Sequence, residues 1–386
     1  MKFERLEAFF RRPPVVVVCL LILAIAAFAG VTRLANRFHE QQKALARHLF
    51  AAGQAALQSG EMEQAVEDFR AALSYSRDDP EYQLSLARAL RDTGRTDEAE
   101  TYLLSLWEHA PQEADISLAL GRLYAREKSV ESAIRFYHNA IYGVWESDPD
   151  LHRRDAQLEL VDFLLKQGAT QQAQAELITL ATELPRDASL LVRVGQMFAR
   201  TQDYDHALGE FQRVLRFDRD NAEALAGAGD AEFHLGRYRA AQGHLQAAVR
   251  QNPNDSQSKT TLEICTLVLQ SDPFARRISN AERNRRIRAA FDRAGERLAS
   301  CGAEPAGNQP GQGLPASLGV LKAQWEEMKP KLRRLNSPEE ADLPDTAMDL
   351  VAQIEQEAGS EKQCSSATPL DRALLLVAQD HSGGGR

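Results

Sequence analysis

Cysteine is scarce, with four in 386 residues, at positions 19, 265, 301 and 364. No two are spaced as CxxC, which excludes a zinc ribbon and a dense disulfide framework. Aromatic residues make up only 7%, and β-branched residues rarely cluster. A β-sandwich or barrel is thereby excluded, and the abundance of Ala, Leu, Arg, Glu and Gln points to an all-α chain. An excess of positive charge is missing too: 46 Lys and Arg stand against 55 Asp and Glu, a net charge of −9. Nucleic acid is not an expected partner of the chain as a whole, and any basic site has to be local. Signatures of catalysis are also lacking. The nine histidines form no HExxH or paired-ligand spacing, and no P-loop or nucleophile elbow occurs. Gly227-Ala228-Gly229 falls inside a helical pattern, where small residues serve packing. No cofactor, metal or enzymatic activity is expected. The length allows two or three domains with sizeable cores.

Charge is wholly absent from Val15 to Val31, 17 residues that would reach about 25 Å as a helix. The segment reads as a transmembrane anchor behind a short tail, residues 1–14. A cleaved signal is the rival, because Ala27-Phe28-Ala29 has the small-x-small form of a cleavage site. Retention is favoured by the flank: residues 32–45 continue at helical spacing without a breaker, so the membrane helix should run into the first soluble helix. Cys19 follows no lipobox, and Pro13-Pro14 interrupts a twin-arginine reading of Arg11-Arg12. Four basic residues on each side leave the charge rule undecided. A short tail carrying Arg11-Arg12 is more easily retained than translocated, which places the body on the non-cytoplasmic side, the periplasm if the source is bacterial.

Internal periodicity is the strongest signal. Blocks starting at Ala46, Pro80, Ala114, Arg154, Ala188 and Ala222 follow one another at steps of 34, 34, 40, 34 and 34 residues. The eighth place carries Gly53, Ala87, Gly121, Val161, Gly195 and Gly229. The twentieth is alanine in all six: Ala65, Ala99, Ala133, Ala173, Ala207 and Ala241. Four places on stands a bulky residue, Phe69, Leu103, Tyr137, Leu177, Phe211 or Leu245. Small residues at two fixed places mark the crossing of two helices, and Gly60, Gly94, Gly168 and Gly236 supply turns between them. Pro111, Pro185 and Pro253 close three blocks.

This pattern resembles the tetratricopeptide repeat family across residues 46–255, although the family's tryptophan near place 4 is missing and Val161 and Glu232 depart from its usual choices. The resemblance implies an α-solenoid of six helix pairs with a concave groove lined by the first helix of each pair. Residues 256–270 would then cap the stack. Carrying over the groove places puts Arg88, Arg91, Arg122 and Arg126 on adjacent repeats, with Leu84 and Leu118 as an apolar floor and Arg193 and Arg200 further along. Their guanidinium forks could hold an acidic segment of a protein or peptide partner. The alternative is a solvated face paired to Glu81, Asp92 and Asp115. The Lys and Asn of the family's chaperone-tail clamp are absent.

After Asp272-Pro273 the period stops. Residues 271–301 read as a basic amphipathic helix with arginines at 276, 277, 283, 285, 286, 288, 293 and 297, able to bind anionic lipid or a nucleic-acid backbone. The acidic segment 337–362 offers an intramolecular match instead. Residues 302–316 read as a flexible linker, residues 317–386 as a helical C-terminal region with a helix kinked at Pro330, and the terminal HSGGGR as disordered. In an oxidising compartment Cys301 and Cys364 could form a disulfide, whereas Cys265 should pack inside the capping helix. The function expected is that of a membrane-anchored adaptor or scaffold, with anion binding through residues 276–297 as the competing reading.

Overall fold

The computed structural model describes residues 13–301, 315–335, 342–361 and 364–383. The N-terminal tail before Pro13, most of the linker, Glu339 and Glu340 of the acidic segment, and the last three residues lie outside them. Seventeen α-helices are found among the described residues, and two compact units divide them after Lys166.

In the first unit, α1 (Pro13–Gln58) runs without interruption from the apolar segment into the first repeat. Anchor, connector and first helix are thus one 46-residue helix. It is followed by α2 (Met62–Tyr75), α3 (Pro80–Asp92), α4 (Thr96–His109), α5 (Ala114–Arg126), α6 (Val130–Tyr142) and α7 (Pro149–Lys166). The second unit holds α8 (Thr170–Ala181), α9 (Ala188–Arg200), α10 (Tyr204–Leu215), α11 (Ala222–His234), α12 (Tyr238–Gln251), α13 (Ser256–Ser271), α14 (Asn280–Cys301), α15 (Ala316–Met328), α16 (Leu343–Ser360) and α17 (Pro369–Gly383). Within each unit consecutive helices pair as solenoid repeats do.

The pairing rests on the places read from the sequence. All six alanines at place 20 are 0% exposed. A Cβ added at Gly53 would come within 2.6 Å of Phe69, at Gly195 within 2.8 Å of Phe211, and at Gly229 within 2.6 Å of Leu245. In each case the contact joins place 8 to place 24 of the same block. The bulky side chain lies in the groove left by the glycine, and the alanine lets the helix axes close.

The turn within each pair needs one residue in the left-handed region. Gly60, Gly94, Gly168 and Gly236 hold φ between 70° and 83°, as glycine does without cost. In the third and fifth blocks the same place is taken by Lys128 (φ 61°) and Gln202 (φ 62°), which the glycine pattern did not show.

The six extra residues of the third block are absorbed in two ways. Val144 pairs its backbone with the start of α5, donating to Gln112 O at 2.8 Å and accepting from Ala114 N at 3.0 Å. The rest adds a turn to the start of α7, locked by the buried Trp145, whose Nε1 donates to Ala140 O at 3.0 Å and whose ring stacks on His152.

Three sequence expectations for the C-terminal region are corrected. No kinked helix spans Pro330: α15 ends at Met328 and a 3₁₀ turn, Lys331–Arg334, follows, because proline can begin a turn of helix but cannot continue one. The basic helix begins at Asn280, not at 271. His381 of the terminal HSGGGR belongs to α17 and stacks on Phe274, ring centroids 3.6 Å apart.

These contacts predict opposite effects from two substitutions seven residues apart in the fifth block. Gly195→Leu should lower stability by about 1–3 kcal/mol through overpacking against Phe211. Gln202→Gly should raise it by about 0.5–1 kcal/mol by relieving the left-handed side chain. Midpoints of urea unfolding on the two variants check both signs.

Candidate functional site

In the first unit three of the arginines expected to face a partner are held by the chain's own carboxylates and the fourth, Arg126, by a backbone carbonyl. Arg88 on α3 donates to Asp115 on α5 at 2.7 Å. Arg122 on α5 grips Glu159 on α7 with both arms of its fork, Nε to Oε2 at 2.7 Å and Nη2 to Oε1. That hydrogen bond, ahead of every opposing effect, raises the Arg122 pKa above its ordinary value. Arg91 donates to Asp92 at 2.8 Å, and exposed Arg126 donates to Arg91 O at 2.6 Å. Leu118, expected as apolar floor, is buried at 6% exposure, while Leu84 is half-buried. An acidic partner would therefore have to displace Asp115 or Glu159 before reaching Arg88 or Arg122. Glu159 stands at place 6 of the fourth block, where the groove register could have found it.

In the second unit Arg193 and Arg200 lie exposed on α9. A cleft of about 340 Å³ lies there between α9, α11 and α13. Its floor is Phe211 and Leu245, and its walls carry Gln196, Glu223, Asp230 and Asp255. Asp255 is engaged as the N-cap of α13, accepting from Gln257 N and Ser258 N at 3.1 Å each. Asp230 is half-buried, and burial pushes its carboxyl above the usual range against the opposing pull of His234. The imidazole Nε2 of His234 stands 3.8 Å from Asp230 Oδ2, and its ring stacks on Tyr204.

With this geometry in hand, the chain can be set beside known proteins. Family models described as tetratricopeptide repeat match residues 56–123 and 199–263, and a second such model matches residues 158–222. Residues 56–123 and 158–263 thus carry tetratricopeptide repeats. Serine/threonine-protein phosphatase 5 of Rattus norvegicus is 26% identical over 95 residues, which is 25% of this chain and 19% of the phosphatase. The chain thus spans about a fifth of the length of that relative. Among solved structures, YrrB, a TPR protein with an unusual peptide-binding site, matches at TM-score 0.40 and 19% identity, covering 50% of this chain and 97% of its own. The C-terminal part of a TPR repeat-containing protein from Cytophaga hutchinsonii matches at TM-score 0.45 and 12% identity, covering 62% and 93%.

Beyond the tetratricopeptide repeats, four arginines of α14, Arg283, Arg286, Arg293 and Arg297, are half-buried or buried. Arg283, Arg286 and Arg288 donate to backbone carbonyls of Pro273, Asp272 and Leu332, and Arg285 pairs with Glu282 on its own helix. Arg293 holds the buried Asp371 of α17 at 2.7 Å. Arg297, 2% exposed, donates to Ser365 Oγ at 2.8 Å and lies 3.6 Å from the equally buried Glu355 of α16. The expected match to the acidic segment therefore comes down to Arg297 with Glu355. Other carboxylates of α16, such as Asp345 and Asp349, point outward, because a helix can turn only one face to its neighbour. Arg283, Arg286, Arg293 and Arg297 are thus taken up inside the fold, while Arg276, Arg277, Arg285 and Arg288 remain exposed. Cys301 and Cys364 are bonded to one another beside this cluster, and Cys265 is buried as expected.

Burial, reinforced by Asp371, pushes the Glu355 carboxyl up to about 7. The folded chain therefore keeps a proton that the unfolded chain releases near 4.3, and stability should rise as pH falls from 8 towards 5. His244 adds in the same direction: its hydrogen bond to Glu232, 2.7 Å long, raises its pKa, so its contribution is full below about 6.5 and is lost above the folded value. Melting curves at pH 8 and 5.5 should show a gain of a few degrees for the native chain, and a clearly smaller gain for Glu355→Gln. A native profile flat over this range would overturn the assignment.

Proposed function

We propose that the chain is a non-catalytic, membrane-tethered adaptor whose tetratricopeptide repeats hold a protein or peptide partner in their concave face. The observation that carries the tether is α1. From Leu20 onward it is long and apolar enough to cross a membrane, with a mean hydropathy of 1.5 over its most apolar window and none of that window buried. Leu20, Ile22, Leu23, Phe28, Val31, Leu34 and Phe38 are all exposed. So long a run of exposed apolar side chains is costly in water and favourable in lipid. The same helix continues into the first repeat, so the anchor and the first groove-lining helix are one rigid element. Tethering in this way confines the groove and raises its effective concentration towards partners on the same membrane.

The body is assigned to the non-cytoplasmic side, the periplasm in a bacterial source. The bond between Cys301 and Cys364 supports this, since disulfides persist in oxidising compartments and are rare in the cytosol. An uncleaved α1 and an exported body together make an envelope scaffold.

Two reporters fused after Arg386, one active only outside the cytoplasm and one only inside, test the sidedness. The outside reporter should give the signal, with full-length chain in the membrane fraction and a reducing-agent mobility shift that Cys301→Ser abolishes. Signal from the inside reporter, or a shortened chain in the soluble fraction, would overturn the assignment.

A further inference from the structure

The sixth repeat departs from a rule the other five keep. Place 5 carries Phe50, Leu84, Leu118, Leu158 and Val192, and four of these five are no more than 7% exposed. In the sixth repeat it carries Ala226, followed by Gly227. The side chain missing there is what opens the cleft of about 340 Å³ above Phe211 and Leu245. The gap cannot be closed from place 6, because a Cβ on Gly227 would lie 2.4 Å from the Phe211 ring. Place 5 thus carries a large apolar side chain in five repeats and a small one in the sixth.

The charge at the opening is also reversed. Place 9 is Arg88 and Arg122 in the second and third repeats, each already paired within the chain. In the sixth it is Asp230, which lines the cleft together with Glu223 two helical turns earlier on the same face of α11. No lysine or arginine is among the residues lining this cleft. A half-buried carboxylate beside an apolar floor is costly to keep charged; the His234 imidazole, 3.8 Å away, stands beside Asp230, and a lysine or arginine reaching in would offset that cost further. An extended segment places side chains i and i+2 on one face, so an apolar group and a cation two residues apart would meet floor and wall together.

We propose that this cleft binds an extended basic segment of a partner protein, in which a branched apolar side chain fills the gap left at place 5 and a lysine or arginine two residues away pairs with Asp230 and Glu223. The proposal rests on the groove being the partner-binding face and gives that partner a chemistry, cationic where the arginines had suggested an acidic one.

The test uses the full chain in detergent micelles and a positional-scanning library of nonapeptides. Enrichment of Val, Ile or Leu with Lys or Arg two positions away is the expected outcome. Titrated with the selected peptide, Ala226→Leu should weaken binding at least tenfold while leaving the melting temperature unchanged, since it restores what other repeats carry. Asp230→Asn should weaken binding about tenfold, and the loss should vanish for a peptide whose Lys is replaced by Gln. Arg88→Glu with Arg122→Glu should leave binding intact. If acidic peptides are selected instead, and their binding is lost in the double arginine variant but kept in Ala226→Leu, the groove still binds and the cleft proposal falls. If no peptide is selected, the groove reading falls and takes this proposal with it.

Discussion

Two helices can lie close together only where one of them gives up its side chain, and most of this chain's architecture follows from that constraint. At place 8 the glycines of four blocks leave room, and the bulky residue of place 24 fills it: Phe69 on Gly53, Tyr137 on Gly121, Phe211 on Gly195, Leu245 on Gly229. The buried alanines of place 20 then set the distance between the axes. Distance and turn are thus set within each block, and the face left by the first helices is a by-product of the packing. The groove's chemistry is decided separately, by places that do not touch the helix crossing.

Those places show two different uses. In the second and third repeats they bind neighbouring first helices to one another: Arg88 reaches Asp115 and Arg122 reaches Glu159, each spanning from one repeat to the next. The pairs are part-exposed, so each contributes modestly, but the bidentate fork of Arg122 on Glu159 fixes the geometry between its two helices. In the sixth repeat the corresponding places carry Ala226, Gly227 and Asp230, and the result is an opening in place of a clasp. One register thus holds both clasped and open positions.

Legibility in the sequence followed the range of the interaction. The helix crossings, the glycine turns and the buried Cys265 were readable because they repeat at fixed spacing or sit on a helix face. Lys128 and Gln202 were not, because a left-handed residue without glycine leaves no mark in composition, only in register. The partner of Arg122 was missed because Glu159 lies 37 residues away, and an inward arginine reads the same whether it awaits a ligand or a neighbour. The C-terminal region was the least legible. It has no repeat to set a register, and the inward turn of Arg293 and Arg297 depends on Asp371 and Glu355, which reach them from two different helices.

That region has a structural consequence for the cleft. α13 is in register with a first helix, its Ser256 lying 34 residues after Ala222, yet no second helix of its own block follows it. α17 covers it from the far end of the chain: the Tyr238 hydroxyl bonds to Asp380, and Phe274 stacks on His381. α17 is in turn held by Arg293 on Asp371, and the Cys301–Cys364 bond ties the end of α14 to the segment that precedes it. Since α13 forms one wall of the cleft, its position depends on this chain of contacts. An open solenoid end would let α13 fray and the cleft lose its shape. The buried charges of the C-terminal region, costly to desolvate, thus hold in place the helix against which the sixth repeat opens.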